Sequence, residues 1–168
     1  PPSGFLPALA DATRAGGALL VTDEVWTGLG RSGAMLRAVH DGCVADLVCL
    51  GKGLGGGLPI SACVGTAAVM SAWRRDPEVA HTATFAGAPL ACAAAVATLD
   101  TLETEGLVQR AARVGEGWLR SLQGALDGHP GLAVRGAGLM LGIELSAPQP
   151  PAAKVARALL ERGYLVST

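Results

Sequence analysis

Apolar and polar positions follow each other along this chain in blocks of changing period. Phe5, Leu6 and Leu9 share one face of a helical repeat that stops at Gly16-Gly17, and Ser3 stands where a cap is expected. The run Ala18-Leu19-Leu20-Val21-Thr22 is short, continuous and apolar, with glycine before it and acids after it. Such a run predicts a strand buried on both faces. Leu47 to Leu50, ending at Gly51-Lys52, predicts a second strand, and Ile60 to Val64, after a glycine cluster and Pro59, a third. Strand, helix, strand in this order points to an α/β sheet, with functional groups at the carboxyl ends of its strands.

The pattern changes in the second half. The alanine-rich stretch from Pro89 to Leu102 predicts a helix with small faces suited to close packing. After Gly106, the residues Leu107, Ala111, Val114, Trp118, Leu122 and Leu126 recur at steps of three and four, which predicts one long amphipathic helix. Gly128-His129-Pro130-Gly131 ends it. Leu132 to Arg135 and Leu139 to Leu145 predict two strands around the turn Gly136-Ala137-Gly138. A proline-rich loop over 146–151, a helix over Ala152 to Arg162 and a strand over Tyr164 to Val166 complete the reading. The switch from buried runs to amphipathic ones near residue 104 sets the expected boundary: a doubly wound α/β unit over 1–103 and an incomplete α+β unit over 104–168. The opening Pro1-Pro2 and the apolar strand at 164–166, which leaves an edge without a partner, lead us to expect a piece of a longer chain.

Composition narrows the classes of function. Half of the 168 residues are hydrophobic, 16% are charged and the formal net charge is -1. Disorder requires the opposite balance. No basic excess is present to neutralise phosphates, so a nucleic acid is not an expected partner. No uninterrupted apolar run reaches the roughly 18 residues of a membrane span. Cys43, Cys49, Cys63 and Cys92 form no CxxC pair and read as small core residues of a reducing compartment, so a cytoplasmic location is expected. His40, His81 and His129 lie far apart without ligand spacing, and no metal site is expected.

Two places can carry chemistry. Lys52 follows a strand directly and sits among Gly51, Gly53, Gly55, Gly56 and Gly57. A lysine desolvated there becomes an amine nucleophile able to form a Schiff base, whereas position alone more often yields a surface lysine pointing into solvent. Asp23 and Glu24 end another strand, where an acid can pair with a cationic ring nitrogen, bind a metal or cap the next turn. The run from Gly51 to Gly56 matches GxGxxG, but Gly57-Leu58-Pro59 blocks the helix that a dinucleotide site needs. A Walker A loop fails because Gly53 follows Lys52, and no GxSxG elbow occurs. Arg31 and Arg135 read as surface ion pairs as readily as site residues, Glu144 as solvated, and Trp73 and Trp118 as packing residues. His81 is as readily a bystander as a support for the loop after it.

Taken together, the motifs resemble those of the class III pyridoxal-phosphate-dependent aminotransferases. The segments that carry the likeness are Asp23-Glu24-Val25-Trp26-Thr27-Gly28-Leu29-Gly30-Arg31-Ser32-Gly33 and the run from Ala45 through Lys52 to Pro59. The run from His81 to Ala94 and Gly136-Ala137-Gly138-Leu139-Met140-Leu141-Gly142-Ile143-Glu144-Leu145 resemble later segments of the family in the same order. The resemblance implies the aminotransferase fold type I, with the carboxyl-terminal part of the large cofactor-binding domain followed by part of the small one.

It also implies site roles. Lys52 would hold pyridoxal 5'-phosphate as a Schiff base and shuttle a proton. Asp23 would pair with the pyridinium nitrogen, Val25 would pack on one ring face, and Thr84 would bind the cofactor phosphate of a neighbouring subunit in a homodimer with shared sites. The implied reaction moves an amino group between an amine or ω-amino acid and a 2-oxo acid. An aminomutase or racemase of the same fold is the second reading. A non-catalytic piece is the third, because the family's upstream glycine-serine phosphate loop, stacking aromatic and downstream arginine have no match here. On that reading the 168 residues alone bind the cofactor weakly or not at all. Trp26 departs from the family's usual glutamine, and Ala86 and Ala88 from its glycine and asparagine.

Overall fold

A computed structural model describes residues 1–74 and 83–168. The first helix, α1, spans Phe5–Ala15 and begins at Gly4, whose left-handed φ of 80° takes the cap position that the sequence assigns to Ser3; no side chain caps it. Gly16 closes the helix by donating its N–H to Ala12 O. Beyond Gly17 the chain enters β1, Val21–Asp23, later than the apolar run suggests. Leu20 N–H donates to Asp46 Oδ2 at 2.8 Å, and this bond seats the start of β1 beside the strand β2, Leu47–Leu50.

β1 and β2 pair in parallel, with Val21 opposite Leu47 and Asp23 opposite Cys49. The third strand, β3, Ala62–Gly65, pairs with β2 in the antiparallel sense, so the sheet is mixed rather than wholly parallel. The physical reason lies in the connection. Residues 51–61 hold only the 3-10 turn Lys52–Gly55, whereas a parallel crossover needs about a dozen residues or more, usually with a helix. The sheet is also more open than the sequence predicts, since Leu19 and Val21 are more than half exposed.

Two short helices went unread in the sequence. One is α2, Arg37–His40, and the other is α3, Ala67–Met70, whose first turn is capped by the Thr66 hydroxyl accepting from Val69 N–H. The helix α4, Pro89–Thr104, opens with proline at its first position and buries Ala91 and Ala95. The helix α5, Leu107–Leu126, starts after left-handed Gly106 and buries Ala111 and Gly115. It covers a hairpin of β4, Leu132–Ala137, and β5, Met140–Leu145, in which Gly136 and Ala137 belong to the strand and the turn narrows to Gly138-Leu139. The last helix, α6, spans Ala152–Leu160. Residues 164–166 form no strand: no described strand lies beside them to complete a ladder, and Leu165 is 88% exposed.

A small core gathers Ala10, Ala38 and Cys43, with Leu6 and Leu20 packed against it. Of the four cysteines only Cys43 is fully buried, and Cys63 is exposed, so the expectation of four core thiols fails. Trp118 is 57% exposed and Trp73 half exposed, which corrects their reading as packing residues. Among the described residues no helix is long and apolar enough to cross a membrane.

The loop after β1, α5 and the β4–β5 turn meet through backbone rather than through large side chains. Leu139 N–H donates to Arg31 O at 2.9 Å, and a Cβ on Gly33 would stand 2.9 Å from Ala112 Cα. At Gly115 a Cβ would overlap Gly138 O, whereas at Gly117, two positions on along the same helix, nothing lies within 4 Å. Gly115→Ala is therefore expected to destabilise the protein by about 1–3 kcal/mol through overpacking. Gly117→Ala should stabilise it by about 0.5–1 kcal/mol through helix propensity alone. Urea midpoints of the two variants against the parent check both signs.

Candidate active site

The parallel pairing of β1 and β2 brings Asp23 and Lys52 to the same end of the sheet, since Asp23 stands opposite Cys49 and Lys52 follows three residues later. Gly51 is extended, with φ -173°, and Lys52 then turns into the left-handed region at φ 47° to start the 3-10 turn. A non-glycine residue in that region costs about 1–2 kcal/mol. The neighbours hold it there: Leu54 and Gly55 are buried, and Ile60 closes on Gly55, where an added Cβ would meet it at 2.8 Å. Lys52 itself is exposed, in line with the surface placement that position alone favours and unlike the desolvated alternative. Its Nζ lies 4.8 Å from the centroid of the Trp26 ring, within cation–π range.

The two acids at the end of β1 take opposite parts. Asp23 is exposed, and its Oδ1 accepts from Val25 N–H at 3.0 Å; among the described residues Oδ2 accepts no hydrogen bond and is open to a cationic group. Glu24 is 3% exposed and fully engaged. Its Oε1 accepts from Ala38 N–H at 2.6 Å, and Oε2 accepts from the Thr27 hydroxyl in a short bond. Its backbone N–H donates to Cys49 O at 2.9 Å, extending the ladder, and its carbonyl accepts from Gly28 N–H at 2.9 Å. Ser32, also buried, donates to Thr27 O at 2.6 Å. Sequence reasoning weighed Asp23 and Glu24 together, as ring-nitrogen partner, metal ligand or turn cap, and did not separate them. The signal that separates the two is strand geometry, in which successive side chains leave opposite faces.

Val25 is half-buried and neighbours Gly51, where a Cβ would come 3.4 Å from Val25 Cγ1, so the ends of β1 and β2 nearly touch. Asp23, Val25, Trp26 and Lys52 thus form one group. Thr84 stands apart: it lies in an exposed turn ahead of α4, and no hydrogen bond or ion pair joins it to the other three predicted residues. His81 lies outside the described residues. Arg135 and Glu144 form an exposed pair at 3.6 Å, matching the surface reading of both. A cavity of about 890 Å³ lies between residues 32–40, α5 and the β4–β5 hairpin, with Met35, Arg37, Arg113 and Leu141 in its wall. It does not reach Asp23 or Lys52. Among the described residues no three His, Cys, Asp or Glu side chains are grouped to hold a metal ion.

An exposed lysine at a strained strand end and an open carboxylate on the parallel neighbour thus stand at one end of the sheet. The chain belongs to the class III aminotransferase family, whose model matches residues 1–168. It is 48% identical over 171 residues to the acetylornithine aminotransferase of Mycobacterium tuberculosis H37Rv, covering 99% of this chain and 40% of the relative. It is 44% identical over 170 residues to the putrescine aminotransferase of Pectobacterium atrosepticum, covering 99% of this chain and 36% of the relative. The ornithine aminotransferase of Toxoplasma gondii superposes with a TM-score of 0.89 at 38% identity, over 99% of this chain and 39% of that one. This chain therefore spans about 40% of the length of the curated relatives it matches.

Glu24 gives the site a test of its own. Glu24→Ala strips the acceptors from Ala38 N–H and the Thr27 hydroxyl, and each stranded donor costs about 1–3 kcal/mol. Glu24→Gln keeps a carbonyl oxygen for one of them and should cost less than Glu24→Ala. Thermal melts of both variants check the order, and an equal loss in the two would mean that packing volume rather than hydrogen bonding sets the role of Glu24.

Proposed function

We propose that the protein carrying these residues is a pyridoxal-phosphate-dependent aminotransferase, which moves an amino group between an amine or ω-amino acid and a 2-oxo acid. The observation that carries this reading is the placement of Lys52, strained and exposed at the end of β2, beside the open Asp23 carboxylate at the end of β1. The donor set fits the cofactor: a primary amine for its aldehyde, a carboxylate for its ring nitrogen and an apolar side chain, Val25, for a ring face. The Toxoplasma relative carries pyridoxal phosphate at its active site in partial occupancy, which supports the same ligand here.

When bound, the cofactor supplies an aldehyde that takes up the amino group and a ring that accepts electrons from the substrate carbon. The residues of this chain do the rest. Lys52 Nζ would hold the aldehyde carbon and would move a proton as general base and acid. Asp23 Oδ2 would keep the ring nitrogen protonated by charge pairing. Val25 would pack on one ring face. Trp26, which already contacts Nζ, bounds the space where the substrate meets the amine.

Thr84 serves the site of a second copy in a homodimer. Its surroundings support that role, since Phe85 is 84% exposed and Leu90 is exposed beside it, an apolar setting suited to a protein contact. Residues 1–103 would form the end of the large domain and 104–168 part of the small one, each with its own sheet. The free cysteines suit a cytoplasmic setting.

The test uses the full-length protein. After incubation with pyridoxal phosphate and reduction with borohydride, the label should map to Lys52, and Lys52→Ala should lose both the label and the visible absorbance. Transamination should fall by at least about 100-fold in that variant. Asp23→Asn should retain the label on Lys52 while weakening cofactor retention on dialysis. A label on another lysine, with Lys52→Ala unaffected, would sink the assignment. Amino transfer to an added 2-oxo acid separates a transaminase from an aminomutase.

A further inference from the structure

Among the described residues Glu24 is the only buried acid, and the proposed transamination gives it no part. Four hydrogen bonds hold it. Its N–H donates to Cys49 O and its carbonyl accepts from Gly28 N–H, both at 2.9 Å. Its side chain accepts from Ala38 N–H, 14 residues on and at 2.6 Å, and from the Thr27 hydroxyl. Ala38 lies in α2, whose N-cap residue, Leu36, supplies no side-chain bond. Every partner is a buried or half-buried residue of this chain, so none of these bonds depends on an exposed surface.

Glu24 is tied to Asp23 through the backbone of one turn. Asp23 Oδ1 accepts from Val25 N–H at 3.0 Å, so the direction of the Asp23 carboxylate follows the peptide between Glu24 and Val25. That peptide opens the turn over residues 24–28, which Gly28 N–H closes on Glu24 O. The turn has little slack: a Cβ on Gly28 would stand 2.8 Å from Glu24 O and 3.2 Å from Glu24 Cβ. At its far side the Ser32 hydroxyl donates to Thr27 O at 2.6 Å. The Glu24 side chain braces the whole, with one oxygen on the turn at Thr27 and the other on α2 at Ala38. With an oxygen removed, the turn is free to shift against the β1–β2 ladder, and Val25 N–H shifts with it.

We propose that Glu24 is a positioning residue for the cofactor site: through the turn over 24–28 it aims the Asp23 carboxylate at the cofactor's ring nitrogen. This role rests on the proposed pairing of Asp23 with that nitrogen and adds to it a residue on the opposite face of the strand. A buried polar network with its members partnered holds one geometry. A carboxylate already held in place binds a cation without the cost of being ordered on binding. Loss of the brace therefore weakens cofactor retention only while residue 23 carries a charge to aim.

The experiment follows, by absorbance, the rate at which the full-length protein loses pyridoxal phosphate on dialysis. The parent, Glu24→Gln, Asp23→Asn and the double variant are compared. Glu24→Gln should speed the loss at least about 5-fold beside Asp23 and less than about 2-fold beside Asp23→Asn. A role confined to stability gives the same factor in both backgrounds. Thr27→Val, which removes one donor to Glu24, should show the same dependence on Asp23, and Thr27→Ser should restore the parent rate. If circular dichroism shows Glu24→Gln unfolded, the Thr27 pair decides the question. Equal factors in the two backgrounds, or parent-like loss in Glu24→Gln and Thr27→Val, would overturn the role of Glu24 alone. Parent-like loss in Asp23→Asn would overturn the pairing of Asp23, and the role of Glu24 with it.

Discussion

The structure turns on the buried carboxylate of Glu24. At this residue the parallel ladder ends, the loop over residues 24–38 begins, and the first turn of α2 finds an acceptor for one of its free N–H groups. An ionised carboxylate taken from water survives only when its oxygens are hydrogen-bonded, so the loop must close on Glu24 for the strand end to be buried at all. That closure has a consequence for the next residue back. With Glu24 turned inward, Asp23 is turned outward, and its remaining oxygen faces the open end of the sheet. The two acids are adjacent in sequence, yet one is structural and the other available because a strand alternates.

The same economy holds on β2. Lys52 sits in a backbone region that L-residues avoid, and the glycines around it mark where the chain must turn tightly. Gly51 approaches Val25, Gly55 approaches Ile60, and a Cβ on left-handed Gly56 would stand 2.9 Å from Thr98 Oγ1 on α4. Each of these contacts would be lost or strained by a larger side chain. Lys52 therefore keeps its unfavourable φ because Gly51, Gly55 and Gly56 are packed against fixed partners. The strain falls at the residue proposed to carry the chemistry and the packing falls beside it, an arrangement common at functional sites.

How far this was legible in the sequence depends on which force decided each element. Runs with a strong period, such as Leu107 to Leu126, are fixed by local pattern and were read to the residue. The strand Leu47–Leu50 was equally clear, bounded by polar Asp46 and glycine. The antiparallel sense of β3 was not legible, because it depends on how much chain the 3-10 turn consumes. The strand expected at 164–166 failed because a strand is a property of two neighbours, and an apolar run names only one. At the site, residue types pointed to Asp23 and Lys52, but the exposure of Lys52, its contact with Trp26 and the engagement of Glu24 come from tertiary placement. The pairing of Cys49 with Cys63 was hidden for the same reason, since register across strands is not written in spacing along one of them.

One quantity ties the exposed features together. The accessible surface is 11774 Å², whereas a self-contained folded monomer of this mass has about 7,600 Å². Much of the excess is apolar, including Phe85, Leu90, Val96 and Trp118 along α4, α5 and the turn before α4. Half of the residues are hydrophobic, but the fully buried ones are chiefly alanines such as Ala10, Ala38, Ala91 and Ala95. Small side chains seal the close approaches between elements, and the large ones face outward. The proposed site residues divide along the same line. Asp23, Val25 and Lys52 owe their positions to the β1–β2 ladder, to Glu24 and to packed glycines, all within the described residues. Among the described residues no hydrogen bond or ion pair holds Thr84, and it stands next to Phe85, the most exposed aromatic ring there.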